Sequence, residues 1–442
     1  MGENKKHIAL VSLGCAKNLV DSEVMLGYLL QSGNYILETN LAQADIIIVN
    51  TCGFIQPARD EAEQHFREAL SLKREKPHLM IVATGCYVQK DLPSLKQRYP
   101  EIDLWTGVYD FHHIVQLIED SPYDPEEHCF LYDHDSPRLL STPPAWAYVK
   151  ISEGCSHRCT FCTIPRIKGP YRSRNIDSIV QEARRMADQG IREINLISQD
   201  STYYGRDLGL KEGLPLLLEG LAKIPDLSWI RVLYSYPEEI SDQLLDTMSS
   251  DKICSYIDSP FQHAAPTLVR RMRRGLDGTH ALELISKIRR RLPDAALRTS
   301  LIVGFPGEGP EEFAQLKDFV RQADFDHLGV FTYSHEKDAP SFAWGDEIPA
   351  GEKMHRRQEI MEIQAGISAR RLERYVGTRV PVLLDGRLQG DQDILVGRTQ
   401  NQAPEVDGVV FISPPEGHGP ADVIQPVEIL RSDVYDLYGT LI

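Results

Sequence analysis

Between Ala145 and Ser334 the chain alternates, six times over, a short apolar β-branched run with a helical or loop stretch. The runs are "AYVKISEGC", "IREINLISQ", "WIRVLYSY", "KICSYIDS", "ALRTSLIVGF" and "HLGVFTYS", and patterns such as "IDSIVQEARRMADQG", "HALELISKIRRRL" and "PEEFAQLKDFVRQA" lie between them. Successive βα units with right-handed crossovers curl into an incomplete (β/α)6 barrel of parallel strands. Such a barrel gathers the tips that follow its strands, "EGCSHRC", "SQDS", "YSYPEE", "SPFQH", "GFPGE" and "YSHEK", on one face. In barrels of this kind that face carries the chemistry.

Two further segments flank this core. Residues 1–120 read as an open parallel α/β domain, with strands in "HIALVSLGC", "ADIIIVNTC" and "LMIVATGC" and a helix opened by Pro57. Cys15, Cys52 and Cys86 each fall where one of these strands ends. Ligands of open α/β sheets bind at that carboxyl edge, so three cysteines distant in sequence can meet at one metal site. Residues 121–144, rich in proline and acids, read as a linker, with Cys129 an incidental thiol. The barrel segment runs over 145–370. Residues 371–442 change to short strands with turn signals, which predicts a small all-β barrel. That barrel holds six Arg and no Lys against eleven acidic residues. Together with the formal net charge of −16, this argues against stable nucleic-acid binding, which needs Lys and Arg on phosphates.

No run of 18 apolar residues and no signal-like leader occurs, so a cytoplasmic chain without a membrane span is expected. In that reducing compartment eight cysteines are metal ligands, catalysts or buried thiols before they are disulfides. The loop "SEGCSHRCTFCTIPRIKG" spaces Cys155, Cys159 and Cys162 four and then three apart. A structural zinc site is closed by four ligands, and the nearest fourth, His157, lies between two of these thiols. Three thiolates on one short loop suit a 4Fe-4S cluster whose fourth iron is left open to bind a small molecule. Arg158, Arg166, Lys168, Arg172 and Arg174 follow closely and would place positive charge near an anionic cluster.

CxxxCxxC after the first strand of a (β/α) repeat resembles the radical S-adenosylmethionine (SAM) superfamily, in which the open iron binds the methionyl part of SAM. The three-part layout is similar to that of the methylthiotransferases, whose last domain is called TRAM. Within that family "SLGCAKNLVDSE", "IIVNTCGFI", "SQDSTYYG", "FQHAAPTLVRRMRRG" and "LIVGFPGE" resemble the branch that modifies ribosomal protein S12. Ala16 departs from it, since proline is commoner there.

The resemblance implies that Cys155, Cys159 and Cys162 hold the SAM-cleaving cluster and give a 5'-deoxyadenosyl radical. It implies that Cys15, Cys52 and Cys86 hold a second 4Fe-4S cluster that handles sulfur. The implied product is an S12 aspartate with a methylthio group on its β-carbon, one SAM giving the methyl and another the radical. A low-potential donor such as flavodoxin or ferredoxin would supply the electron.

Candidate SAM contacts are Ser198, Gln199 and Asp200 after the second barrel strand, and Gly304, Gly307 and Glu308 after the fifth. Gln262 and His263 are candidates to line the cavity, Cys254 is expected in the core, and "RRMRR" at 270–274 reads as a helix face or a phosphate grip. Two other functions fit parts of the pattern: a tRNA adenosine methylthiotransferase, and a non-catalytic iron-sulfur scaffold or electron carrier.

Overall fold

The computed structural model describes residues 5–413 and 422–442. The chain divides into two compact units. The first comprises Met1–Ser141, Lys150–Arg158 and Cys162–Ile179, and the second Thr142–Val149, Cys159–Phe161 and Val180–Ile442.

In the first unit, strands β1 (Lys6–Ser12), β2 (Tyr35–Leu37), β3 (Ile46–Thr51), β4 (Met80–Gly85) and β5 (Leu104–Trp105) form one sheet in the order β2-β1-β3-β4-β5. All pairings are parallel. β3 is buried at all six positions, as a central strand covered on both faces must be. Helices Ala16–Gln31, Gln56–Glu75 and Cys86–Arg98 follow β1, β3 and β4. Ile47, Val49, Ala62, Phe66, Ile81 and Val88 make the core between sheet and helices. The edge strands β2 and β5 have three and two residues and carry no periodicity a sequence reading can use.

The stretch read as a linker is ordered in part. Cys129 and Tyr132 are each 1% exposed. Arg138 donates to the Glu23 carboxylate at 2.6 Å, and Ser141 binds the other Glu23 oxygen at 2.7 Å. The segment packs as an irregular strap on helix Ala16–Gln31, held by single side chains rather than by a periodic face.

In the second unit, β6 (Trp146–Lys150) opens the barrel. The two-residue strands β7 (Ser152–Glu153) and β8 (Arg172–Ser173) pair separately in the first unit. β9 (Glu193–Ile197), β10 (Trp229–Val232), β11 (Tyr256–Asp258), β12 (Ala296–Val303) and β13 (His327–Thr332) follow. They pair as β10-β9-β6 and β11-β12-β13. A parallel bridge between Ile230 and Ile253, with the Ser235 amide donating to the Asp258 carbonyl at 2.7 Å, joins the two halves. The expected six-stranded partial barrel is therefore present. Cys254 is buried just before β11 rather than within it.

Helix Ala350–Leu372 leads to a closed barrel of β14 (Arg379–Leu388), β15 (Asp391–Arg398), β16 (Val410–Ser413), β17 (Ile424–Ser432) and β18 (Leu437–Leu441). Val382, Leu395, Val410, Ile412, Val427 and Ile429 fill it.

The end of β15 and the segment between β15 and β16 insert into the N-terminal mouth of the (β/α) barrel. They meet a polar side chain from each of the six strands. The Tyr148 hydroxyl donates to Glu405 at 2.9 Å, and Arg398 pairs with Glu193 at 2.8 Å. Arg231 donates to the Gln400 carbonyl at 2.6 Å, and the Tyr256 hydroxyl to Asp407 at 2.6 Å. Arg298 pairs with Asp407 at 3.4 Å, and His327 Nε2 lies 2.8 Å from the Asn401 carbonyl. Arg231, Glu193 and Arg398 are at most 1% exposed, yet each charge is matched. That pairing is what buried ions require.

Candidate functional site

The first cysteine trio lies along the carboxyl edge of the N-terminal sheet. Cys15 precedes helix Ala16–Gln31, Cys52 follows β3, and Cys86 opens helix Cys86–Arg98 directly after β4. β1, β3 and β4 are neighbours, so the three turns converge. Gly14 has φ +91°, and a Cβ there would lie 2.5 Å from the Cys52 Cβ. Only glycine permits this approach. A buried amide web fixes the same turn: Asn18 donates to the Leu13 carbonyl at 2.7 Å, and Asn50 to the Asn18 carbonyl at 3.0 Å and to Ser22 Oγ at 2.8 Å.

Burial pushes the Cys52 thiol up to about 11, and the neighbouring Cys15 adds to it. Burial also raises Cys86, with Cys52 and Cys15 contributing and the Lys168 ammonium opposing.

On the second loop, Gly154 has φ +77°, and a Cβ there would lie 2.1 Å from the Pro170 carbonyl oxygen. The Cys155 amide donates to the Gly169 carbonyl at 3.1 Å. Cys155 is buried, while Cys159 and Cys162 are partly open. Within the second unit, Thr160 donates from its amide to the Met272 carbonyl at 3.2 Å and from its hydroxyl to the Arg271 carbonyl at 2.9 Å. Phe161 packs against the core of Ala265, Leu268, Met272, Phe305 and Tyr333.

Lys168 joins a buried quartet. Its ammonium is 3.1 Å from Asp21 and 3.2 Å from Glu153. Lys150 bonds the same two carboxylates, at 2.9 Å to Glu153. Burial opposes the Glu153 charge, but Lys150 and Lys168 outweigh it and hold the carboxyl well below the usual carboxylate range. Arg172 bonds the Cys129 carbonyl, and Arg174 donates to the Lys150 carbonyl at 2.9 Å with its guanidinium 4.2 Å over Tyr132.

The candidate SAM contacts lie where expected along the chain, but several carry other bonds. Ser198 lies 3.1 Å from Ser201 Oγ. Asp200 caps the turn Ser201–Tyr203, accepting from the amides of Thr202 at 3.0 Å and Tyr203 at 3.2 Å. Gln199 sits between them. Glu308 closes its own loop: it accepts from the Phe305 amide at 3.2 Å and from Gly304, and Arg356 pairs with it at 3.1 Å. Burial raises the Glu308 carboxyl. Gly304 packs on Lys353, and Gly307, at φ +90°, faces the Arg271 guanidinium.

His263 is 1% exposed and held neutral, burial and Arg356 lowering it to about 3. Gln262 has φ +71° and bridges β12, accepting from the Ile302 amide at 2.7 Å. Of "RRMRR", Arg270, Arg271 and Arg273 face solvent while Arg274 turns in. Asn195 escaped the sequence reading. Both polar atoms of its buried amide, halfway along β9, have no protein partner. A polar residue flanked by apolar ones, Ile194 and Leu196, was the available signal, and an orphaned buried amide calls for a ligand.

A protein of Syntrophotalea carbinolica named ribosomal protein uS12 methylthiotransferase RimO is 43% identical over 447 residues, covering 99% of this chain and 97% of that one. The chain belongs to the RimO family. A RimO relative from Aquifex aeolicus is 42% identical over 433 residues, covering 98% and 96%.

Family models agree with this, matching uncharacterized protein family UPF0004 at residues 7–107, the radical SAM superfamily at 149–320 and the TRAM domain at 376–442. Solved structures support the fold alone. The radical SAM methyltransferase TsrM from Kitasatospora setae superposes with a TM-score of 0.54 at 14% identity, covering 76% of this chain and 77% of that one. The cobalamin-dependent SAM radical enzyme OxsB gives 0.53 at 12% identity, covering 81% and 56%. Membership in RimO and in the radical SAM superfamily brings a 4Fe-4S cluster and SAM as cofactors. No helix among the described residues is long and apolar enough to cross a membrane.

Proposed function

We propose that this chain is a radical SAM methylthiotransferase that places a methylthio group on the β-carbon of an aspartate in ribosomal protein S12. Cys155, Cys159 and Cys162 would hold the SAM-cleaving 4Fe-4S cluster. Cys15, Cys52 and Cys86 would hold a second one. The observation that carries the reading is the convergence of this second trio on the edge of a separate α/β sheet, in a chain whose full-length relatives bear the S12 methylthiotransferase name. A radical generator alone needs one trio.

When bound, cluster and SAM supply a one-electron cleavage that yields a hydrogen-abstracting radical. The chain's own residues bind, orient and shield. Ser198, Gln199, Asp200, Gly304 and Glu308 are the proposed surroundings of SAM, and the Asn195 amide would offer it a donor and an acceptor. Asp200 and Glu308 would act by shaping their turns. The domain limits that go with this reading are 1–120, 121–144, 145–370 and 371–442. Flavodoxin or ferredoxin would be the electron source, and the cytoplasm the compartment.

The test is to incubate the anaerobically reconstituted protein with SAM, sulfide and a reductant, offering S12 and tRNA separately, and to weigh the products. A methylthio mass on S12 is expected. The same mass on tRNA with none on S12 would reverse the choice of substrate, and a protein that yields no 5'-deoxyadenosine would be the electron carrier instead.

A further inference from the structure

Resting on the reading of Cys159 as a cluster ligand, we propose that Arg274, seconded by Tyr236, is a positioning residue that donates to the Cys159 sulfur and sets the reduction potential of the SAM-cleaving cluster. The Arg274 guanidinium reaches Cys159 Sγ at 3.8 Å through one nitrogen, and its other terminal nitrogen donates to the Pro260 carbonyl at 2.8 Å. Its guanidinium carbon lies over the Tyr236 ring, 3.7 Å from the ring centre. The Tyr236 hydroxyl hydrogen-bonds the same sulfur. Arg274 is 8% exposed, so its charge acts where water screens little.

The backbone is built to deliver this side chain. Helix Pro266–Arg271 ends in a Schellman cap, the Arg273 amide bonding the Arg270 carbonyl at 3.1 Å and the Arg274 amide the Val269 carbonyl at 2.9 Å. The left-handed position of that cap normally takes glycine, yet here Arg273 holds it at φ +57°. A non-glycine residue held there costs on the order of 1 kcal/mol and persists where the surroundings demand it. One residue further, the Gly275 amide is bound by Glu238, from the loop that carries Tyr236. The same helix end accepts both bonds of Thr160, the residue after Cys159. Arginine and sulfur are thus fixed to one piece of backbone.

Hydrogen bonds and positive charge at a cluster sulfur favour the more negative, reduced state and raise the potential. Loss of Arg274 should make the cluster harder to reduce. Arginine suits the task over lysine because its planar fork can hold Pro260 and Cys159 at once and stack on Tyr236.

The test uses the full chain carrying Cys52→Ala, so that the Cys155/Cys159/Cys162 cluster is the one observed, in an anaerobic redox titration followed by electron paramagnetic resonance. Arg274→Gln should keep its iron and show a midpoint shifted to more negative potential, with Arg274→Lys recovering part of the shift and Tyr236→Phe moving the same way by less. A loaded Arg274→Gln with the parent midpoint and spectrum overturns the assignment. Should Arg274→Gln not take up iron, Arg274→Lys and Tyr236→Phe carry the test, and parental midpoints in both overturn it. A Cys52→Ala parent that binds no iron overturns the cluster reading and this assignment with it.

Discussion

Cys52 packs against the Gly14 turn, which glycine alone allows, and its thiol stays protonated at neutral pH; in the proposed reading a metal takes the proton's place. Cys52→Ala should lower the reconstituted iron content from about eight to about four per chain while 5'-deoxyadenosine still forms. Cys159→Ala should abolish 5'-deoxyadenosine and keep the other about four irons, by iron assay and chromatography. A second residue-scale consequence concerns pH. His263 is lowered in the fold to about 3, so the unfolded chain binds a proton that the folded one refuses. Stability contributed this way is full above the unfolded value near 6.5 and is lost as pH falls toward 3. Each unit of acidification in that window should cost up to about 1.4 kcal/mol, and His263→Gln should flatten the dependence of the urea midpoint on pH. The six cysteines proposed as ligands could be singled out in the sequence because cysteines at strand ends and at tight spacing are rare and chemically specific. Arg274 was not. "RRMRR" reads as a solvated helix face unless one knows that the helix stops at Arg271 and turns through Arg273.

At the scale of elements, the six barrel strands and the three long N-terminal strands could be read from their β-branched runs. β2 and β5 could not, being too short to hold a pattern. The strap over helix Ala16–Gln31 was hidden for another reason. Tyr132, Arg138 and Ser141 each bond it singly, and no repeat announces an irregular segment. The buried quartet is likewise invisible in sequence, since Asp21 is more than a hundred residues from Lys150, Glu153 and Lys168. Within the first unit it joins Asp21, on the helix that follows Cys15, to Lys150 and Glu153 just before Cys155 and to Lys168 on the short helix after Cys162. Lys168→Met should leave carboxylates uncompensated and cost about 3–5 kcal/mol in a urea titration. Replacing Asp21, Lys150, Glu153 and Lys168 together by apolar residues of similar volume should restore much of that stability. If the single variant unfolds at the parental midpoint, the quartet is not a clamp.

For the whole molecule, the sequence predicts a small all-β barrel at the C-terminal end, and its acidity argues against a nucleic-acid grip. Its strands are as expected, but the β15–β16 segment makes it the floor of the (β/α) barrel. Deleting residues 371–442 should strip partners from Tyr148, Glu193, Arg231, Tyr256, Arg298 and His327. Near-ultraviolet circular dichroism should then show a barrel without fixed packing, and limited proteolysis should cut within 180–340. A truncated chain that melts like the parent would mean the floor is dispensable. The floor also governs order in time. Ribosomes add about 5–20 residues per second, and Arg398 follows the last barrel strand by about 70 residues, so a nascent barrel would hold Glu193 and Arg231 without Arg398 and Gln400 for about 3–14 s. During synthesis the barrel therefore has its walls before its floor, and the nascent chain would need shelter from aggregation until the final domain emerges.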